Sequence, residues 1–209
     1  MGESSEGLVS RHLNRRLSRP VARWLARTPI TPNQVSLASF AMALVSTGFF
    51  LAGQNLWAGL AAQACSVVDG VDGDLARLKD RVTPFGGFFD AVLDRYADFA
   101  ILAGMTFWTL HFEARGPQWL AFIVGLLAIV GAFMVSYTRD RAETSLGRTF
   151  GGPAGFLAAR DARLLLIMVG ALLGQALATL ALLALLTNGV VLWRVVLIKR
   201  RLCTRAVPS

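Results

Sequence analysis

The sequence predicts an all-α, polytopic membrane protein with six transmembrane helices, an N-terminal amphipathic helix at the membrane interface and both termini in the cytoplasm. Its 209 residues are 55% hydrophobic and only 16% charged, and the mean hydropathy is +0.54. Apolar stretches long enough to cross a bilayer recur along the chain, and basic residues gather in alternate connections between them. These features exclude an ordinary soluble domain.

Residues 1–33 form a predicted basic, amphipathic juxtamembrane segment. Between Leu8 and Arg27, apolar residues follow at four-residue steps while arginines occupy most other faces: Leu13, Leu17, Val21 and Leu25. This pattern is typical of a helix that lies in the interface plane, bent here by Pro20. A solvated basic arm without a specific role is the alternative. Thr31 or Asn33 is expected to cap the first membrane helix.

Residues 34–197 form the predicted six-helix transmembrane domain, and residues 198–209 form a basic cytoplasmic tail. The apolar stretches of spanning length are Gln34–Gly53, Leu56–Leu78, Gly86–Leu110, Gln118–Tyr137, Ala158–Gly174 and Ala176–Leu197. We divide the last two at Gly174 and Gln175. One helix of their combined length would overshoot the hydrocarbon core, and glycine marks a break.

The distribution of Lys and Arg favours an even number of spans, because these residues concentrate in cytoplasmic connections. One side carries six arginines between Arg11 and Arg27, the pair Lys79 and Arg81, five arginines between Arg139 and Arg163, and four basic residues between Lys199 and Arg205. In the connections on the opposite side, Arg115 is essentially the only Lys or Arg. The net charge of +8 therefore follows from membrane topology and indicates no nucleic-acid partner.

The second and third apolar stretches contain a block of carboxylates: Asp69, Asp72, Asp90 and Asp94. An ionisable residue inside a membrane costs roughly 2.5–3.5 kcal/mol on insertion scales, so four of them without compensation would cost about 10 kcal/mol. Bound divalent metal is the natural compensation. Intramembrane acids also mark cation and proton pathways, so a cation or proton transporter is the alternative function.

The spacing of the four acids predicts that they converge. Asp69 and Asp72 are three residues apart, and Asp90 and Asp94 are four apart, so each pair occupies one helical face. A predicted turn at Lys79–Phe85 folds the two helices into a hairpin, and a rise of about 1.5 Å per residue places both pairs roughly 6–14 Å below the cytoplasmic helix ends. Converging carboxylates with no basic side chain among them suit hard cations, Mg²⁺ or Mn²⁺, here as a pair of ions.

Small residues and one arginine accompany the acids. Gly73 and Gly86 allow a ligand to approach the backbone, Ala76 keeps the next turn small, and Arg77 offers its guanidinium to a phosphate oxygen. The whole pattern, D-x-x-D-G-x-x-A-R, eight residues and G-x-x-x-D-x-x-x-D, resembles the signature of the CDP-alcohol phosphotransferase family at every fixed position. It is most similar to the branch of di-myo-inositol-phosphate-phosphate synthases and phosphatidylinositol-phosphate synthases.

This resemblance implies a six-span enzyme that moves a substituted phosphate from a CDP-linked donor to an acceptor hydroxyl and releases CMP. It implies that Asp69, Asp72 and Asp90 hold the metal ions, and that Asp94 touches the second ion and acts as the general base. The residues implied to bind CDP are Asp69, Asp72, Gly73, Ala76, Arg77 and Gly86. The resemblance also implies a homodimer and a cytidylyltransferase, either fused to this chain or separate from it.

Three arginines at the ends of the fourth and fifth spans form a second constellation: Arg139, Arg160 and Arg163. Arg160 and Arg163 share a helical face, which suits a phosphate group, although cytoplasmic anchoring by positive charge explains them equally well. All three resemble the acceptor-phosphate pocket of relatives that use inositol phosphate. That similarity implies inositol phosphate as acceptor. The resemblance of the run from Val68 to Asp98 implies CDP-inositol or CDP-diacylglycerol as donor, and the depth of the acids below the cytoplasmic helix ends predicts an active site that faces the cytoplasm. Asp98 lies one helical turn after Asp94. We expect its carboxylate either to orient a metal ligand or Arg95, or to form a simple interhelical hydrogen bond.

Overall fold

The structure is a computed structural model that describes residues 14–113, 117–146 and 158–205. Within these ranges the chain forms no strand, and its helices are α1 (Arg15–Leu25), α2 (Pro32–Leu51), α3 (Asn55–Leu78), α4 (Pro84–Trp108), α5 (Gln118–Leu146), α6 (Arg160–Leu172) and α7 (Ala176–Arg205). A short π-helical turn, Thr109–Glu113, extends α4. The predicted all-α class is confirmed for the described residues.

Local signals in the sequence explain where the helices begin and end. Pro32 takes the first position of α2, and the Thr31 N–H donates to Gln34 Oε1 over 2.9 Å, so Thr31 is the capping residue. Thr83 Oγ1 accepts the Gly86 N–H over 3.0 Å at the start of α4. Gly174 has a φ of +64° between α6 and α7, a conformation that glycine adopts without strain, and the predicted break there is confirmed.

Three of the described helices are long and apolar enough to cross a membrane: Pro32–Leu51, Gln118–Ser145 and Ala176–Arg200. Large apolar side chains cover their exposed faces, among them Leu37, Leu44, Ile123, Leu185 and Leu192. The six-span count, the cytoplasmic termini and the interfacial position of α1 stay predictions. Residues 8–13 of the predicted amphipathic helix lie outside the described residues.

Helix α3 is central to the bundle, because it packs against α2 and also contacts α1 and α6. Helix α2 packs in addition on α4, and α5 lies along α7. Alanines fill much of the shared core, and they allow the helices to approach closely: Ala43, Ala58, Ala62, Ala132 and Ala171. At Gly59 a Cβ would lie only 3.2 Å from the backbone of Met168 on α6. This close packing gathers the charged parts of α3, α4, α5 and α6.

Candidate active site

Three carboxylates converge between α3 and α4. Asp69 and Asp72 from α3 and Asp90 from α4 each place one oxygen within 4.8 Å of the others, and we call this group the carboxylate cluster. Their convergence follows from the three-residue spacing on α3 and the hairpin turn at residues 79–83. A donor set made only of carboxylate oxygens fits a hard divalent cation such as Mg²⁺ or Mn²⁺. The predicted convergence is therefore confirmed for three of the four acids.

A serine from α2 holds one member of the cluster. Ser36 Oγ donates a hydrogen bond of 2.5 Å to Asp72 Oδ2, and both side chains are buried. Ser36 was not among the predicted site residues. The sequence shows it one turn after Pro32, but it does not show that α2 crosses the hairpin at the depth of Asp72.

A cavity of about 180 Å³ opens on one side of the cluster, and we call it the hairpin cavity. Its lining residues are Pro32, Asn33, Ser36, Asp72, Gly73, Ala76, Arg77, Arg81, Val82, Thr83, Gly86, Gly87 and Asp90. A Cβ at Gly73 would meet open space, so the cavity reaches the backbone there. Arg77 is 63% exposed and pairs with Asp74 over 3.2 Å. Five of the six residues predicted to bind CDP thus line one cavity.

A second cavity, of about 210 Å³, opens on the other side and is rich in arginine. This arginine cavity is lined by Asn14, Ser66, Asp69, Gly70, Asp94, Arg95, Val135, Ser136, Arg139, Ala158, Ala159, Arg160, Asp161, Arg163 and Arg194. It contains Asp69, the sixth predicted CDP residue, and all three predicted acceptor arginines. The carboxylate cluster therefore lies between two cavities, because Asp69 faces one while Asp72 and Asp90 face the other.

Arg160 links the acids of α3 and α4. Its Nη1 lies 2.6 Å from Asp69 Oδ1 and 3.0 Å from Asp94 Oδ1. Its Nε donates to Asp98 Oδ1 over 3.2 Å. The expectation that no basic side chain intervenes among the acids is therefore wrong. The spacing of residues within the hairpin does not show Arg160, which enters from α6.

Asp94 is not part of the group within 4.8 Å, and its predicted roles as metal ligand and general base stay predictions. Asp98 is buried and pairs with Arg160 and Arg163, and Arg163 also donates to the Ala158 carbonyl over 2.6 Å. Among the described residues, Arg160 and Arg163, rather than Arg95, donate hydrogen bonds to Asp98. The prediction of an interhelical bond at Asp98 is confirmed.

Arg194 on α7 also reaches the arginine cavity, and sequence reasoning missed it. Its Nη1 donates to the Val135 carbonyl over 2.7 Å and to Thr138 Oγ1 over 2.5 Å, which ties α7 to α5. A signal was present, because Arg194 is the only charged residue between Ala176 and Leu197. A charge inside an apolar stretch indicates a partner or a function.

A model of the CDP-alcohol phosphatidyltransferase family matches residues 29–200. The chain belongs to this family. The match shows that the chain carries a CDP-alcohol phosphatidyltransferase domain. Proteins of this family are integral to membranes and metal-dependent, and the members similar to this chain are transferases.

Two curated relatives illustrate the similarity. Over 196 residues the chain is 43% identical to a bifunctional IPC transferase and DIPP synthase of Rubrobacter xylanophilus, and this alignment covers 94% of the chain and 43% of that protein. Over 182 residues it is 32% identical to the archaetidylinositol phosphate synthase of Pyrococcus horikoshii, and this alignment covers 87% of the chain and 90% of that protein. The chain spans less than half the length of the bifunctional relatives it matches.

A solved structure shares the fold of this CDP-alcohol phosphatidyltransferase domain. The phosphatidylinositol phosphate synthase of Mycobacterium tuberculosis with CDP-DAG bound gives a TM-score of 0.73 at 26% identity, covering 86% of this chain and 92% of that one. The same enzyme in complex with manganese and citrate gives a TM-score of 0.71 at 25% identity, covering 85% and 87%.

Proposed function

We propose that this chain is a metal-dependent phosphotransferase that moves a substituted phosphate from a CDP-linked donor to a hydroxyl of inositol phosphate and releases CMP. The observation that carries the proposal is a carboxylate cluster between two cavities of different chemistry. One cavity has the glycines and Arg77 of the family signature, and the other has five arginines. A transporter would not require that arrangement.

The hairpin cavity is the proposed site of the CDP group. Gly73 leaves open space through which a phosphate approaches the helix backbone, and Gly86 keeps the facing helix free of a side chain. Arg77 is exposed and its ion pair with Asp74 is a surface one, so its guanidinium is available to a phosphate oxygen. The donor is CDP-diacylglycerol, which the solved relative binds, or CDP-inositol, which the resemblance of the signature to di-myo-inositol-phosphate-phosphate synthases implies.

Asp69, Asp72 and Asp90 are the proposed metal ligands, with Asp94 completing the site of the second ion. When bound, Mg²⁺ or Mn²⁺ neutralises the charge that builds on the departing CMP. The remaining demands on the protein are to orient the two substrates and to take a proton from the attacking hydroxyl.

The arginine cavity is the proposed acceptor site, and Asp94 is the proposed base in its wall. Arg139 is 47% exposed and pairs only weakly with its exposed neighbour Asp140, so it is available to a phosphate group. Arg160 is bonded to Asp69 and Asp94, so it connects the acceptor cavity to the metal ligands. Arg163 completes the proposed set, held by its pair with Asp98.

The membrane arrangement belongs to the same proposal. Helices α2 to α7 form six spans, α1 lies in the interface, both termini are cytoplasmic and the active site faces the cytoplasm. A homodimer is the proposed assembly, and a cytidylyltransferase, fused or separate, supplies the CDP-activated donor.

The test is CMP release by the purified chain with CDP-diacylglycerol or CDP-inositol as donor, inositol phosphate as acceptor and Mg²⁺ or Mn²⁺. We expect activity with at least one donor, none after removal of metal with EDTA, and none in Asp94→Asn, which should retain metal-dependent CDP binding. Asp80→Asn is the matched control, because Asp80 is an exposed acid with a φ of +52°, which Asn also tolerates. Cation flux in proteoliposomes without CMP from either donor would instead support a transporter.

A further inference from the structure

Helix α1 precedes the region that the family model matches, yet the N-cap residue at its start lines the arginine cavity. The match begins at residue 29, whereas Asn14 lies directly before α1 and lines the cavity beside Ser66 and Asp69. Only 3% of Asn14 is exposed. A polar side chain is rarely buried to this extent without a partner or a function.

Hydrogen bonds anchor α1 along α3 at two points. Asn14 Nδ2 donates to Ser66 Oγ over 2.9 Å, and Gln63 Nε2 donates to Asn14 Oδ1 over 3.1 Å. One turn later, the fully buried Ser18 donates to Asp74 Oδ2 over 3.2 Å. The two points differ in one respect: Asn14 lines the arginine cavity, and Ser18 is not among its lining residues.

Among the described residues, the amide of Asn14 forms two hydrogen bonds, which leaves it bonding capacity for a ligand. A primary amide has two N–H donors and two carbonyl lone pairs, and the contacts above use one of each. Because both ends of the amide are anchored, its orientation is fixed before a ligand arrives, which lowers the entropic cost of binding. Most of its neighbours on the cavity wall are arginines and carboxylates, which suit a phosphate and a base. Asn14 offers a neutral donor and acceptor that suit a hydroxyl.

We propose that Asn14 is a specificity-determining residue of the acceptor site, where its amide binds a ring hydroxyl of the phosphorylated polyol while the arginines bind the phosphate. This inference rests on the proposed function. It gives α1 a part in substrate recognition in addition to its proposed place at the membrane interface.

The test compares Asn14→Ala with Ser18→Ala in steady-state assays at saturating donor, with inositol phosphate varied. Asn14→Ala should raise the KM for inositol phosphate about tenfold, the effect of one lost hydrogen bond, and should leave kcat and the donor KM within about twofold of wild type. Ser18→Ala removes the other α1 anchor and should leave the acceptor KM within about twofold. Glycerol 3-phosphate, as a competitive inhibitor that offers a phosphate and fewer hydroxyls, should keep its inhibition constant in both variants.

An unchanged KM in Asn14→Ala, or an equal rise in Ser18→Ala, would overturn the inference, since the second result means that docking of α1 is purely structural. Asn14→Ser provides a smaller change where the alanine variant fails to fold, and the same rise in KM is expected. A wild-type chain that releases no CMP with inositol phosphate from either donor overturns the proposed function and this inference together. An active wild type with an unaffected Asn14 variant overturns only the inference.

Discussion

At the scale of single residues, neutral side chains around the carboxylate cluster fix the positions of the acids. The Ser36 hydroxyl donates its hydrogen bond to Asp72 Oδ2, which fixes the position of that carboxylate oxygen. Hydrogen bonds of this kind orient metal ligands, and their loss typically costs 10–100-fold in metal affinity. The chain contains a matched comparison in Ser39, which is also buried on α2 and also bonds to α3, but through the Cys65 carbonyl at 3.1 Å.

We therefore predict that Ser36→Ala weakens Mn²⁺ binding at least tenfold, because Asp72 loses the bond that orients it. Ser39→Ala should change the Mn²⁺ dissociation constant less than twofold, and Ser36→Thr should restore most of the affinity. Calorimetric titration of the purified chain with Mn²⁺ measures all three. Equal losses in the two alanine variants would show that the serines of α2 act only by packing.

Residues near one another in sequence were predictable, and residues brought together by tertiary packing were not. Asp69, Asp72 and Asp90 are linked by helical periodicity and one short turn, so their convergence could be deduced from spacing. Arg160 reaches Asp69 and Asp94 from a helix that begins far downstream, and no periodicity connects it to them. Contacts across helix interfaces depend on the packing of the whole bundle, which spacing within one hairpin does not encode.

At the scale of elements, a buried ion pair joins α4 to α6 beside the arginine cavity. Asp98 and Arg163 are 5% and 3% exposed, and Arg160 shares the same aspartate. Removing one partner of a buried pair leaves a charge without compensation, which is strongly destabilising. The pair therefore fixes the position of α6, and with it the arginines that face the cavity.

Asp98→Asn should accordingly lower the free energy of unfolding by about 3–5 kcal/mol, because the guanidinium of Arg163 stays buried without its carboxylate. Asp140→Asn removes the carboxylate of an exposed pair with Arg139 and should cost less than about 1 kcal/mol. Thermal unfolding of both variants in the same detergent gives the comparison. Similar melting temperatures for the two variants would contradict a structural role for the Asp98 pair.

Helix positions were predictable because capping and apolar periodicity act locally, but the lengths of three helices were not. Helices α5 and α7 run to Leu146 and Arg205 although their apolar stretches end at Tyr137 and Leu197, since a charged segment ends membrane burial without ending the helix. Helix α6 begins at Arg160 rather than at Ala158, and Ala158 and Ala159 line the arginine cavity instead. Hydropathy predicts what lies in lipid, and hydrogen bonding decides where a helix ends.

At the scale of the whole molecule, the number of membrane crossings depends on how the charged helices are accommodated. Helices α2, α5 and α7 qualify as spans by composition alone. Helices α3, α4 and α6 carry the acids of the carboxylate cluster and most of the arginines of the site, but these charges pair with one another or line the two cavities. Charges in membrane segments are tolerated under those conditions. Helix α6 has 13 residues and is about 20 Å long, which is shorter than the hydrocarbon core of a bilayer. The non-helical residues before it, Ala158 and Ala159, line the arginine cavity, and irregular backbone is tolerated at membrane depth where it lines a cavity.

The turn between α3 and α4 separates the two topologies. With six spans and a cytoplasmic N-terminus, Val82 faces the cytoplasm, whereas crossings by α2, α5 and α7 alone would leave it outside. In a background of Cys65→Ala and Cys203→Ser, Val82→Cys should resist a membrane-impermeant maleimide in intact cells and react after permeabilisation, because the side chain at position 82 is 72% exposed. Gln54→Cys, in the exposed turn between α2 and α3, should react in intact cells and serves as the control. Labelling of both positions in intact cells would place the hairpin turn, and the cavity it lines, on the external face, and a cytoplasmic active site would then be wrong.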